Sequence, residues 1–104
     1  MEICWVYAAR TALTLTCSPG TLAPDERLHV EVSRQCSPDS PPERTFWPAG
    51  FTAPGAAASM DLLSAYETRH RALYPGQRVC VRYRTSVNGV MGPPAVACAV
   101  VEDA

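Results

Sequence analysis

Neither sign of charge prevails in this chain: nine basic residues stand against ten acidic ones, a formal charge of −1. That balance gives no electrostatic case for nucleic acid or an anionic membrane as a partner. Long apolar runs are also missing. The longest, Ala95 to Val101, has seven residues, against the roughly 20 that a membrane-spanning helix needs. No Cys-x-x-Cys pair occurs, which removes zinc-knuckle and thioredoxin-type chemistry. A Gly-x-Ser-x-Gly elbow, a P-loop and a Rossmann glycine pattern are absent as well. At the amino terminus there is no basic n-region followed by small residues, as a secretory signal would show. Met1-Glu2 is acidic, and Ile3-Cys4-Trp5-Val6-Tyr7 reads as a strand stopping at Ala8-Ala9-Arg10. The expectation is a protein made in the cytoplasm without a signal peptide.

What is present describes a small globular body. The 104 residues suit a single domain, 1–104, and 47% hydrophobic with 18% charged residues excludes a disordered chain. A domain of this size buries only about 60–65% of its unfolded surface, so crosslinks or neighbours matter to its stability. Five cysteines (Cys4, Cys17, Cys36, Cys80 and Cys98) are many for a cytosolic chain, and the odd number leaves at least one free or paired between chains. They read either as small buried apolar residues or as disulfides formed after the protein leaves a reducing cytosol.

Strand periodicity dominates. Ile3 to Ala8 is apolar and β-rich. Leu13, Leu15 and Cys17 alternate onto one face before Ser18-Pro19-Gly20, which is expected to end that strand. Leu28, Val30 and Val32 alternate again as an inward set. Residues 37–58 read as a proline-rich connecting loop, with five of the ten prolines between Ser37 and Pro54. Proline removes a ladder donor, so this stretch cannot be a central strand. It nonetheless carries Phe46, Trp47 and Phe51, which either fold back over the core or dock on a partner, because large aromatics anchor interfaces disproportionately. Within 59–71 the reading is a short helical turn, with Ser59 as its cap and Glu67 four residues before Arg71. An extended path before Leu73 is expected to follow it.

The last third is the clearest. Leu73-Tyr74-Pro75-Gly76 is a turn, and from Arg78 to Thr85 the residues Val79, Val81 and Tyr83 alternate with Cys80, Arg82 and Arg84. Asn88-Gly89 is a strong hairpin signal because both residues tolerate positive φ. Ala95 to Val101 returns. This stretch, from Leu73 through Asn88-Gly89-Val90-Met91-Gly92-Pro93-Pro94-Ala95, resembles the last two strands of a fibronectin type III domain. Leu13-Thr14-Leu15-Thr16-Cys17-Ser18-Pro19 resembles that family's second strand, and His29-Val30-Glu31-Val32 its third. The likeness is strongest over residues 73–101 and weak between Cys36 and Arg71. Cys17 stands where the family usually has Trp, and Val79 where it has Tyr, which removes the tyrosine-corner hydrogen bond. The resemblance implies an all-β, antiparallel, immunoglobulin-like (fibronectin type III-like) sandwich with a proline-rich loop and one short helix, and no activity of its own. In such a body Cys17 could bridge the sheets to Cys80 or Cys98, although alternation turns Cys80 away from the core. Cys4 with Cys17, and Cys80 with Cys98, are the cross-strand alternatives.

Candidate chemistry is sparse. His29-Val30-Glu31 has the His-x-Glu spacing of zinc deaminases, but no Pro-Cys-x-x-Cys follows it. Arg69-His70-Arg71 reads as a solvated polar segment, and Asp25-Glu26 and Glu102-Asp103 as turn and terminal acids rather than a carboxylate dyad. The expectation is a non-enzymatic protein with no catalytic, metal or cofactor residues. Its expected role is a structural or decoration subunit of a large assembly, most plausibly a bacteriophage virion. Its partners would be other structural proteins, capsid or tail subunits, or further copies of itself. Phe46, Trp47 and Phe51 would be the docking residues. An adhesion module that binds carbohydrate or a receptor through residues 46–51 and 87–93 is the alternative.

Overall fold

The computed structural model describes residues 3–35, 45–70 and 72–103. Along the chain run β1 (Ile3–Ala9), β2 (Ala12–Thr21), β3 (Glu26–Gln35), β4 (Trp47–Phe51), β5 (Ala57–Asp61), α1 (Leu63–His70), β6 (Arg78–Val87), β7 (Val90–Met91) and β8 (Ala95–Val100). Sheet A has the order β1-β2-β5. Sheet B has the order β4-β3-β6, with β7 and β8 both pairing with β6. All of these pairings are antiparallel. The result is the expected all-β sandwich with one short helix, an arrangement compatible with an immunoglobulin-like fold.

The period of two that marks these strands in sequence is what builds the core. Leu13, Leu15 and Cys17 from β2 meet Leu28, Val30 and Val32 from β3, with Val79 and Val81 from β6, and all are buried. Full burial of such aliphatic side chains stabilises by about 1.5–3 kcal/mol each. Leu62, Tyr66, Leu73 and Val101 close the same cluster from α1 and the flanking turns. The Asn88-Gly89 hairpin forms as read: Val87 pairs with Val90 and both turn residues have positive φ, 50° and 81°. One residue of β6 crosses the sandwich. The Tyr83 hydroxyl accepts a hydrogen bond from the Cys4 amide at 3.4 Å.

Three sequence expectations need correction. Residues 37–58 are not loop throughout. Residues 36–44 lie outside the described residues, but β4 occupies 47–51 and β5 starts at Ala57. Proline is admitted because β4 is an edge strand, paired only with β3, so the missing Pro48 donor costs no second ladder. Secondly, β2 continues through Ser18-Pro19-Gly20 to Thr21, because its register with β5 shifts between Thr16 and Thr21 and demands no donor from Pro19. Thirdly, the order within 59–71 is reversed, strand first and helix second. Ser59 pairs with Thr16 in β5, and it is the Asp61 carboxylate that accepts the Leu63 amide at 3.0 Å and starts α1. Leu62 and Tyr66, one helical turn apart, then bury the inner side of the helix.

Two disulfides join directly opposed positions on neighbouring strands, Cys4 with Cys17 in sheet A and Cys80 with Cys98 in sheet B, at Cα separations of 4.0 and 4.1 Å. The bridge between sheets is not made, since Cys80 lies on the outer side of sheet B. Cys36 falls outside the described residues. The two bridges close loops of 13 and 18 residues in sequence separation, for which the chain-entropy account gives about 3 kcal/mol each. Cys4 and Cys17 are 7% and 3% exposed, whereas Cys98 is open to solvent. Mild reductant applied to the native protein is therefore expected to open Cys80–Cys98 first. Replacing both of those cysteines by Ser should lower the unfolding free energy by about 3 kcal/mol. Alkylation followed by mass mapping reads the order, and labelling of all four cysteines at the same rate would contradict it.

Candidate docking face

The strand alternation that points Leu28, Val30 and Val32 inward points Arg27, His29 and Glu31 outward, and on β6 it turns out Arg78, Cys80, Arg82 and Arg84. Register brings His29 opposite Arg84 and Glu31 opposite Arg82. On β8, Val96, Cys98 and Val100 lie opposite Arg82, Cys80 and Arg78 and share this outer side, while Ala95, Ala97 and Ala99 turn inward. The outer face of sheet B is thus a plane of arginines interleaved with exposed apolar side chains.

A small electrostatic network organises it. The Arg82 guanidinium donates through Nε and Nη2 to the two carboxylate oxygens of Glu31, at 2.9 and 3.1 Å. A second guanidinium, that of Arg84, lies 3.7 Å from the same carboxylate. The hydrogen bond from Arg82 holds the Glu31 carboxyl below its ordinary range, against a smaller opposing effect of burial. His29 shares a hydrogen bond with the Ser86 hydroxyl at 2.7 Å and stacks on Phe51 at 5.8 Å. Burial, then the charges of Arg27 and Arg84, lowers its pKa below the usual 6.5. The His-x-Glu spacing therefore places two residues on one face, with Glu31 committed to arginine and His29 to Ser86 and Phe51. Among the described residues no group of three His, Cys, Asp or Glu side chains could hold a metal ion.

Each of the three candidate aromatics carries a guanidinium. Arg82 lies over Phe46 at 4.6 Å, Arg69 over Trp47 at 3.9 Å and Arg27 over Phe51 at 5.4 Å. They do not form one patch. Phe51 lies opposite His29 and is 61% exposed, and Phe46 reaches Arg82 on the same outer side. Trp47 lies opposite the inward Val32, and its ring is covered by Arg69 of α1. A bulge between Val30 and Glu31 separates the two settings. Gly50 sits in it at φ 134°, where a residue with a side chain would be strained. Of the remaining candidates, Arg10 rather than Glu102 partners Asp103, at 2.8 Å, and Asp25 accepts from the Asn88 side chain at 3.4 Å. Arg71 lies outside the described residues.

The sequence reading overlooked two features. The arginines of β6 and the valines of β8 were legible as the outward half of an alternation but had not been joined into a surface. The second lies on sheet A, where Ile3, Trp5 and Tyr7 project outward from edge strand β1, Trp5 at 51% and Tyr7 at 44% exposure. Beside them run hydroxyl and carboxylate rows, Trp5 with Thr16 and Ser59, and Tyr7 with Thr14 and Asp61.

No family model matches the chain, and neither the curated proteins nor the solved structures contain a significant match to it.

The pKa directions set the sign of a pH dependence. His29 is harder to protonate folded than unfolded, so its share of stability is complete above about pH 6.5 and is lost as pH falls from there through the folded pKa. Glu31 is easier to ionise folded, so its share is present above about 4.5 and is lost as pH falls further. The His29→Gln variant is expected to lose the first decline and keep the second, as read from the denaturation midpoint against pH. A profile parallel to that of the unmodified protein would contradict this.

Proposed function

We propose that this chain is a non-enzymatic assembly subunit, a fibronectin type III-like sandwich that docks on neighbouring structural proteins through the outer face of sheet B. Its setting in this reading is a virion, where it acts as a decoration or accessory subunit on capsid or tail proteins. The observation that carries the reading is the composition of that face. Phe51, Met91, Val96 and Val100 are exposed among Arg27, Arg78, Arg82 and Arg84. Aromatic residues, methionine and arginine are the types enriched in protein interfaces, and lysine is depleted there; this chain has no lysine at all, its nine basic residues being arginines. The face is also stiff, because Cys80–Cys98 ties β8 to β6 within it. Two disulfides suit a particle that is released by lysis into oxidising surroundings.

A second reading rests on sheet A. Exposed Trp5 and Tyr7 beside rows of Thr, Ser and Asp combine a stacking platform with hydrogen-bonding groups, the pairing by which an adhesion module holds carbohydrate. One experiment separates the two. Sedimentation of the natural source is expected to bring the chain down with a particle of megadalton size, and Phe51→Ser is expected to reduce its incorporation without unfolding the free protein. Recovery as a free monomer would overturn the assembly reading. Retention of that monomer on an insoluble polysaccharide, lost on Trp5→Ala, would install the second.

A further inference from the structure

Charge is strongly segregated in this molecule. The outer face of sheet B carries Arg27, Arg78, Arg82 and Arg84 against one carboxylate, Glu31, among the described residues. Elsewhere the described chain carries Asp25, Glu26, Asp61, Glu67, Glu102 and Asp103 against Arg10, Arg34 and Arg69, and the whole bears a net −1. Glu31 serves two guanidiniums at once, with Arg82 at 2.9 Å and Arg84 at 3.7 Å, so the positive charge of the face is only partly answered among the described residues.

We propose that this face receives an extended acidic segment of a partner protein, whose alternate carboxylates meet the arginines of β6. The inference rests on the docking reading above and names the chemistry of what docks. Spacing supports it. Arg82 and Arg84 are alternate residues of one strand, so their α-carbons recur at about 6.6–6.8 Å, the same repeat at which an extended polypeptide presents every second side chain. Arginine is suited to the task because its planar fork engages a carboxylate through two hydrogen bonds. Arg82 is already held by Phe46 and Glu31, and Arg27 by Phe51, so less rotamer entropy is lost when a partner binds; Arg82 gives its Nε and Nη2 edge to Glu31 and meets a partner carboxylate from its Nη1 side. Exposed Val96 and Val100 border the track and would pack against the aliphatic stems of the partner's acidic side chains. A nucleic acid fits less well, since its unbroken phosphate charge would run past the basic track onto Asp25, just ahead of β3.

The test uses the intact oxidised chain and a fluorescein-labelled peptide of alternating Glu and Ser. Matched probes are a Lys and Ser peptide and a single-stranded oligothymidylate, each followed by anisotropy. The acidic peptide is expected to bind, and to bind more weakly as salt rises. The Arg27→Glu, Arg84→Glu double variant should weaken binding by about tenfold or more, and Arg84→Gln by less. Thr11→Ala in the exposed turn between β1 and β2 should change nothing, and circular dichroism confirms that each variant is folded. Absence of binding by the unmodified chain, equal binding by the folded charge-reversed variant, or binding of the oligonucleotide at least as tightly would each overturn the inference. Co-sedimentation with a particle but no affinity for the peptide would leave docking standing and remove the acidic partner. Peptide binding by a chain that sediments alone would keep the acidic site and remove the assembly.

Discussion

Everything described here hangs on the pairing of β3 with β6. The two strands run opposite one another from Glu26↔Val87 to Gln35↔Arg78, the longest unbroken ladder in sheet B. Because successive side chains point to opposite sides, this single register assigns two surfaces at once. Val30 with Tyr83 and Val32 with Val81 go to the core, and His29 with Arg84 and Glu31 with Arg82 go to solvent. A slip by one residue would drive the arginines inward and the valines out. Burial of the apolar set thus enforces the arrangement of the charged one, and neither can change alone.

The flanks of the ladder are held by different means. On one side β8 offers only alanines to the interior, Ala95, Ala97 and Ala99, so its packing is shallow and the Cys80–Cys98 bridge keeps it in place. On the other side β4 is short, bulged at Gly50 and interrupted by Pro48, features that discourage a further strand from pairing with that edge. Sheet A is pinned separately by Cys4–Cys17, and the Cys4 amide reaches across to Tyr83. In a chain of 104 residues these links supply what a small core cannot.

Sequence reading succeeded where local signals agreed with the fold. Alternation at 28–32 and 79–83, and the Asn88-Gly89 turn, needed no long-range information. It failed where a distant partner decides the outcome. Residues 47–51 form a strand only because β3 offers a free edge, and proline content argued the other way. Ser59 looked like a helix cap until its pairing with Thr16 is known. The candidate face was half legible. Phe46, Trp47 and Phe51 stood out by type, but only the bulge beside Gly50 separates Trp47 from Phe51 and puts Phe46 on the side of Phe51. On β8 the valines face solvent and the alanines the interior, the reverse of their relative hydrophobicity.

The charged face and the apolar core are therefore two sides of one structural decision, and the docking proposed for that face would ask for a frame that does not yield. Amide hydrogen exchange on the free oxidised chain tests this most directly. The slowest exchange is predicted for the central amides of β3 and β6, through openings as costly as global unfolding, with β4 and α1 exchanging through cheaper local openings. If β3 and β6 exchanged as fast as β4, the face would have no rigid support, and the account would fail.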